Sequence, residues 1–387
     1  MDKSSISHVE FIYHNVSDIP VPKNHFNDQF YSSLDAAGIG NHSVYRINKV
    51  VRDASIQQRL REFDLIVRSA HPPLEFSLQP LSDLHVFSFS WSLFKGLEPQ
   101  LTTEISNLLG RCPNLEVLCL EMMSMLIKDT QRGDKTQSLE ELFVGWTTME
   151  KPLRLRKLSI RGVDICSGDF TSNIRHLRSL EDLTIELYPT PSELGTVFAM
   201  LQTEGIHLRK ISVMALHPPE IIDYISSFTG LEGFSIESYD VRDDSRSLIH
   251  DLFSALKRHC GTLKSLRINI NRISPWQEIP RSHLLESAEL FRSLETLEIR
   301  VHTSLEDAQA DNAEALLAWL EIATRFPTLS QLKIKPVKWK TGEYSFPHNR
   351  DDMVEPGWKT VPAFRERILR EFRREREFTF DIIYFKY

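Results

Sequence analysis

The feature that most constrains the fold of this chain is a short phrase, Leu-x-x-Leu-x-Ile, that returns along most of its length. Residues 179–188 read SLEDLTIELY, and residues 293–302 read SLETLEIRVH. With other aliphatic residues or Phe allowed, ten copies begin at Leu84, Leu115, Leu139, Leu155, Leu180, Leu208, Leu231, Leu263, Leu294 and Leu329. The mean spacing of about 27 residues is typical of proteins built from stacked repeats.

The spacing within the phrase predicts a strand in each copy. Its second Leu and its Ile are two residues apart, so they share one face of a strand, while the first Leu sits where the chain turns into that strand. One copy cannot bury three aliphatic side chains alone, but stacked neighbours can, with their strands aligned in one parallel sheet. The alternative is a non-repetitive α/β protein in which the matches arise by chance.

The segments between the copies predict a second layer of helices. Four of them have apolar residues at helical spacing on one side only, namely LTTEISNLLGRC, SELGTVFAML, SLIHDLFSALKRHC and EALLAWLEIATRF. The predicted fold is therefore an α/β solenoid, with parallel strands on a concave face and helices and loops on a convex face. The step from Leu139 to Leu155 is too short for a helix, so GWTTMEKP is predicted to be a plain loop.

Three regions follow from the limits of the array. Residues 1–75 are predicted to be irregular N-terminal repeats and a cap, residues 76–338 the repeat solenoid, and residues 339–387 a C-terminal cap. In the first region, ISHVEFI is a diverged eleventh copy, SVYRINKVV a candidate strand and DASIQQRLREFDLIVRS a candidate helix. The last region contains a long loop, a helix over VPAFRERILREFRREREF and an edge strand in FTFDIIYF.

Several copies resemble the leucine-rich repeat regions of fungal F-box-type proteins, namely GRCPNLEVLCL, RHLRSLEDLTI, KRHCGTLKSLRI and ELFRSLETLEI. The resemblance covers roughly residues 75–335 and implies an irregular, ribonuclease-inhibitor-like horseshoe. It also implies the substrate-recognition part of a cullin-type ubiquitin ligase receptor, in which an F-box binds a Skp-type adaptor. The F-box itself is not recognisable, because DIPVPKNHF does not match the Leu-Pro-x-Glu-Leu phrase that opens one.

Composition and motifs predict a binding protein and not an enzyme. The net charge of −7 gives no basic excess of the kind that marks nucleic-acid binders. No nucleotide-binding, zinc-protease or serine-hydrolase motif occurs, and only 15 glycines are present, so we expect no catalytic residues, cofactor or metal. Four cysteines without zinc spacing, no signal peptide and no long apolar run predict an intracellular protein, cytoplasmic or nuclear, without a membrane span.

The residues that flank the buried phrase residues in each strand are expected on the concave face. The predicted partner-binding residues are Val117, Glu121, Phe143, Arg161, Glu186, Met214, Glu237, Arg267, Arg300, Lys333 and Lys335. Phe143 is either an aromatic anchor or a residue packed under a loop, and the late strands carry a basic column. We expect a protein partner and a chain that is monomeric outside its complexes. The alternatives are a structural scaffold without a ligase link and, on the basic column, a nucleic-acid binder.

Overall fold

The computed structural model describes residues 8–14, 61–68, 78–91, 99–122, 139–163, 165, 167–186, 191–214, 219–238, 246–270, 285–303, 322–323, 325–338 and 379–382. These residues form an α/β structure in which parallel strands alternate with helices. The chain divides into two compact units, Met1–Leu208 (unit 1) and Arg209–Tyr387 (unit 2).

Unit 1 contains parallel strands that follow one another across the sheet in chain order. Its strands are β1 His8–His14, β2 Glu62–Arg68, β3 Val86–Trp91, β4 Val117–Met122, β5 Lys157–Arg161 and β6 Asp182–Glu186. Its helices are α1 Pro99–Gly110, α2 Leu139–Thr147, α3 Ser167–Leu177 and α4 Pro191–Thr203.

Unit 2 has the same organisation, with parallel strands in chain order. Its strands are β7 Lys210–Met214, β8 Gly233–Ser238, β9 Ser265–Ile270, β10 Thr296–Thr303, β11 Gln331–Lys338 and β12 Thr379–Ile382. Its described helices of eight residues or more are α5 Pro219–Ser226 and α6 Arg246–Lys257.

The repeated phrase forms the core, as its spacing predicts. Nine of the ten copies contain a strand, and the first Leu of each of the nine is buried. Neighbouring strands pair phrase residue with phrase residue, so Leu118, Leu158 and Leu183 lie side by side. Each of these three leucines is fully buried, which contributes roughly 1.5–3 kcal/mol per side chain relative to exposure. The repeat therefore works because equivalent positions meet across neighbouring strands within each unit.

A repeated backbone contact fixes this register. The amides of Arg156 and Lys157 both donate to the carbonyl oxygen of Glu116, at 2.8 and 3.0 Å. The same arrangement recurs in unit 2, where Glu232 accepts from the amides of two consecutive residues. In each case the acceptor is the residue directly after the first Leu of the phrase. One carbonyl per copy thus sets where the next strand begins.

The predicted helical stripes also face the core. In α1 the buried residues include Leu101, Ile105, Leu108 and Leu109, which is the i, i+4, i+7, i+8 pattern of the stripe. The corresponding residues of α4 and the described ones of α6 are buried as well, namely Leu194, Val197, Phe198, Leu201, Leu252, Phe253 and Leu256. Leu316, Leu317 and Leu320, which carry the fourth stripe, lie outside the described residues.

The strand predicted at Leu139 is wrong, because residues 139–147 form helix α2, and the loop predicted over GWTTMEKP is confirmed only for residues 148–152. The segment SLEELFVGW fits two patterns, and both include Leu139 and Leu142. As a copy of the strand phrase its third buried residue is Val144, whereas as a helix its apolar side also includes Phe143 and Trp146. The helix buries Leu139, Leu142, Phe143 and Trp146, whereas the strand would bury Val144 and expose Phe143. Burial of two large aromatic rings outweighs burial of one valine.

Close packing against α1 holds α2 in place. The Gly145 amide donates to the Ser106 hydroxyl at 2.9 Å. A Cβ atom on Gly145 would lie 2.0 Å from the Ser106 carbonyl oxygen, so only glycine permits this approach. Glu140 and Glu141 in the first turn of α2 also favour the helix, since carboxylates are stabilising at a helix N-terminus.

The ends of the array differ in part from the prediction. The candidate helix over residues 53–69 is wrong in its second half, where strand β2 buries Phe63 and Leu65 at strand spacing. The eleventh copy is a strand, β1, and FTFDIIYF contains β12, the last described strand of unit 2. The candidate strand SVYRINKVV and the helix predicted over VPAFRERILREFRREREF lie outside the described residues.

Candidate functional site

Alternate residues of each strand lie on the face of the sheet opposite the buried phrase residues, and we call this the outward face. Because the strands are parallel and in register, outward residues of neighbouring strands line up in rows. In unit 1 one such row is formed by Ser90, Glu121, Arg161 and Glu186, and in unit 2 another is formed by Arg267, Glu298 and Lys333. The rows bring together several of the predicted partner-binding residues.

In unit 1 the structure joins three predicted site residues into one ion-pair cluster. The guanidinium of Arg161 lies between two carboxylates, with Nη1 3.7 Å from Glu121 and Nε 3.2 Å from Glu186. The Arg161 side chain is 45% exposed, so each pair contributes at most about 1 kcal/mol to stability. The cluster therefore does more to fix the pattern of charge on the outward face than to hold the fold together.

In unit 2 a second, more enclosed cluster forms around Arg267. Its Nε lies 2.9 Å from the Glu298 carboxylate, and one Nη lies 3.7 Å from that of Glu237. With its amide oxygen turned toward the guanidinium, buried Asn269 accepts from the same Arg267 at 2.9 Å. Glu298 is only 9% exposed, so loss of Arg267 would leave a mostly buried carboxylate without this cation. The predicted residues Arg267 and Glu237 thus belong to one charge-compensated group.

The other predicted residues occupy single positions on the strands. Val117 at the start of β4 and Met214 at the end of β7 are half-buried. In β10 and β11, Glu298 is the register partner of Lys333, and Arg300 is the register partner of Lys335. The predicted basic column is therefore divided between two successive rows, with Arg267 and Lys333 in one and Arg300 and Lys335 in the other.

Phe143 does not lie on the outward face, which corrects its prediction as a concave-face residue. It is 1% exposed within α2, and its ring stacks on Trp146 with 4.0 Å between ring centroids. The physical reason is the helical spacing of the two rings, which places both against the core. The alternative, that Phe143 packs under a loop, agrees with its burial but not with its position, because the residue lies within helix α2.

Two buried histidines were missed at the level of sequence. Nδ1 of His259 accepts from the Leu231 amide at 3.2 Å, so its Nε2 carries the proton and donates to the Ile225 carbonyl at 2.9 Å. In unit 1, Nδ1 of His176 accepts from the Leu153 amide at 3.1 Å. Burial lowers the pKa of both imidazoles below their usual 6.5, so they are held in the neutral form.

The position of these histidines carried a signal. Each lies four residues before the first Leu of a phrase, His176 before Leu180 and His259 before Leu263. Each ring accepts a hydrogen bond from a backbone amide of the preceding repeat. A buried amide without a hydrogen-bond partner would destabilise the fold. Their role is to connect successive repeats, and their burial keeps them away from the outward face.

A further charged row was also missed, immediately before the strands. Arg156 donates to both carboxylate oxygens of Glu181, at 3.3 and 3.0 Å. In unit 2, Glu232 is paired with Arg209 on one side and with Lys264, at 3.4 Å, on the other. The hydrogen bond from Arg209 holds the pKa of Glu232 below its usual value. The sequence signal is that the residues directly after the first Leu alternate between basic and acidic in the copies from Leu155 to Leu294, namely Arg156, Glu181, Arg209, Glu232, Lys264 and Glu295.

Neither Cys112 nor Cys119 has an activated thiol. Cys112 is buried, and burial raises the pKa of its thiol to about 11. Cys119 is half-buried on the outward face of β4, and burial raises its pKa as well. A reactive thiol needs the opposite shift. Within the part of the chain that the structure describes, no group of three or more His, Cys, Asp or Glu residues is arranged to hold a metal ion.

Comparison with protein-family models and with curated protein sequences found no match for this chain. No helix of the described residues has both the length and the apolarity needed to cross a membrane. The outward face of the strands, with its two ion-pair clusters, therefore stands as the candidate functional site on geometry alone.

Proposed function

We propose that this chain is a leucine-rich-repeat horseshoe that binds a protein partner through its outward, concave strand face and carries out no catalysis. One observation supports this proposal most directly. The inward residues of successive strands are almost interchangeable, as in Leu118, Leu158 and Leu183, whereas the outward residues at one level differ in size and sign from strand to strand. The stability of the fold requires only the similar inward residues, whereas recognition of a specific partner requires outward residues that differ from strand to strand.

A protein partner fits this face better than nucleic acid does. A nucleic-acid surface requires a field of uncompensated basic residues along the backbone path. Here Arg161 is held by two glutamates, and Arg267 is held by two glutamates and an asparagine. Mixed charges of this kind instead give specificity and register in protein interfaces.

The ubiquitin-ligase link remains a proposal that rests on the resemblance of the repeats to F-box-type receptors. It adds one requirement, which is that a Skp-type adaptor co-purifies with the chain. If the chain is purified from its host and no Skp-type adaptor accompanies it, the ligase link is refuted, and a scaffold or another protein-binding role remains. The proposal of a protein-binding face does not depend on the outcome.

The test is a charge-swapped variant that keeps the cluster intact. Replacing Glu121→Lys, Arg161→Glu and Glu186→Lys together preserves three alternating charges in one row but inverts their sign. Partners captured by the wild type should be lost, while circular dichroism and the unfolding midpoint stay close to those of the wild type. A matched control with the same change in net charge, Glu150→Lys at an exposed position after α2, should leave capture unchanged. Equal capture by all three proteins would refute the proposal.

A further inference from the structure

The outward row that precedes the ion-pair row of unit 1 consists of small side chains. It crosses β3, β4, β5 and β6, and its residues are Ser88, Cys119, Ser159 and Thr184. The row before it includes Lys157 and Asp182, and the row after it contains the longer side chains of Glu121, Arg161 and Glu186. The two flanking rows are about 13 Å apart along the strands. The small residues therefore form the floor of a groove that runs across four strands.

The residue at the centre of this floor has a hydroxyl that the fold does not use. Ser159 is only 9% exposed, and its hydroxyl forms no hydrogen bond to any residue that the structure describes. Because Ser159 lies on the outward face, this hydroxyl points into the groove. The hydroxyls of Ser88 and Thr184 also lack a bond to the described part of the chain. A mostly enclosed hydroxyl without a partner is unfavourable, so a ligand that supplies donors and acceptors completes the floor.

Charged side chains border the floor, and acids are in excess. Burial raises the pKa of the Cys119 thiol, and the charges that act on the same thiol belong to Lys157, Asp64, Arg161 and Asp182. These charges therefore surround the groove. Asp64 is the register partner of Ser88, so the floor ends at an acid on β2. Among the described outward residues of β2 to β6, the acids are Glu62, Asp64, Glu121, Asp182 and Glu186, and the bases are Lys157 and Arg161. This surface is complementary to a basic ligand.

We propose, on the basis of the protein-binding function proposed above, that the groove holds an extended segment of the partner with Gly, Ala or Ser at the positions that face the floor and Lys or Arg beside Asp64. Four strands span about 14 Å, which matches about four residues of extended chain. Small residues let the backbone of the segment approach the floor, where the hydroxyls can bond its N–H and C=O groups. A larger side chain facing Ser159 would hold the backbone away.

The experiment probes an array of immobilised hexapeptides with the labelled full chain. Each peptide has Lys or Glu at one end, and its four central positions carry Gly, Ala, Ser, Gln, Leu or Phe in all combinations. The tightest peptides should have small residues at alternate central positions and Lys at the end. A preference for Leu or Phe at all central positions, or for Glu over Lys, would overturn the inference. Fluorescence anisotropy of the tightest peptide in solution then gives its Kd.

Two changes at Ser159 test the floor with that peptide. Ser159→Leu fills the groove and should weaken binding about tenfold or more, whereas Ser254→Leu on the exposed side of α6 should change it less than about twofold. Ser159→Ala leaves the groove open and removes only the hydroxyl, so it should weaken binding about threefold to tenfold. Circular dichroism checks that each variant is folded. Wild-type affinity in Ser159→Ala, or in folded Ser159→Leu, would overturn the inference.

Cys119 provides a footprint of the occupied floor. At about ten times its Kd the peptide should slow alkylation of Cys119 about tenfold, because only the unbound chain reacts. Cys260, a half-buried thiol of unit 2, should react at the same rate with and without peptide. An unchanged rate at Cys119 would overturn the inference. So would a rate that falls as the chain alone is concentrated, because a second copy of the chain would then occupy the groove.

The failure of this inference can be distinguished from the failure of the proposed function. If no array peptide binds, but the charge-swapped variant of Glu121, Arg161 and Glu186 loses partner capture, only the extended small-residue segment is overturned. Unchanged capture by the charge-swapped variant would instead refute the proposed function.

Discussion

Replacing Phe143 with alanine removes a ring that is buried between α2 and the core of unit 1. The side chain is 1% exposed, and its ring stacks on Trp146 with centroids 4.0 Å apart. A Phe→Ala change at a fully buried site costs about 3–5 kcal/mol, from lost transfer free energy and from the cavity that remains. Loss of an aromatic pair places this site in the upper part of the range, so we expect a loss of about 4 kcal/mol.

The neighbouring residue provides a matched control. Val144 is 53% exposed on α2, so Val144→Ala removes little buried surface. Alanine also has the higher helix propensity, which offsets the small loss of contact. We expect the free energy of unfolding of Val144→Ala to lie within about 0.5 kcal/mol of the wild-type value. The two substituted positions are adjacent in the chain, yet the expected losses in free energy of unfolding differ by about 3–4 kcal/mol.

Urea unfolding followed by far-UV circular dichroism measures both values. Comparison of free energies requires the same m value in all three proteins, because a changed slope signals a changed folded or unfolded state. A larger loss for Val144→Ala than for Phe143→Ala would refute the reasoning. That order is the one expected of a strand at 139–144, with Val144 buried and Phe143 on the outward face.

Three further predictions follow from buried groups. His259→Ala should lower the free energy of unfolding by about 2–4 kcal/mol at pH 8, because two backbone groups lose their partner. Since burial holds the pKa of His259 below its unfolded value of 6.5, this contribution is complete above that pH and should shrink in a urea titration series as the pH falls below 6.5. Gly145→Ala, whose Cβ would meet a carbonyl oxygen of α1 at 2.0 Å, should cost about 1–3 kcal/mol in thermal unfolding. Gly261→Ala, with open space around it, should change stability by less than about 0.5 kcal/mol. In native alkylation followed by mass spectrometry at pH 8, Cys119 should react before Cys112, which is buried and has a pKa raised to about 11.

The strands and their buried residues could be predicted from the sequence because each copy of the phrase meets an equivalent copy. A strand such as β6 can be predicted from its own segment, because Leu183 and Ile185 pack beside the equivalent residues of the neighbouring copy in β5. The histidines could not be predicted in this way. His259 is defined by what it contacts, the amide of Leu231 and the carbonyl of Ile225, and those contacts depend on how a helix end packs on the preceding repeat.

The single false copy at Leu139 also concealed part of the candidate site. If residues 139–144 were a strand, they would stand between β4 and β5 and separate Glu121 from Arg161. Because these residues form α2, β4 pairs directly with β5, and Glu121, Arg161 and Glu186 become neighbours in one row.

The sequence contains the information needed to reject that copy. Aligned without it, the residues that follow the first Leu in three successive copies are Glu116, Arg156 and Glu181, which alternate in sign. If the copy at Leu139 is included in the alignment, Glu140 becomes the neighbour of Glu116. Like charges directly opposite each other on neighbouring strands are unfavourable. Two independent rows, this one and the row of Glu121, Arg161 and Glu186, both favour the alignment that the strand pairing shows. Alternation of charge across aligned repeats is therefore a physical test of which copies are neighbours, and it acts on residues that the hydrophobic pattern ignores.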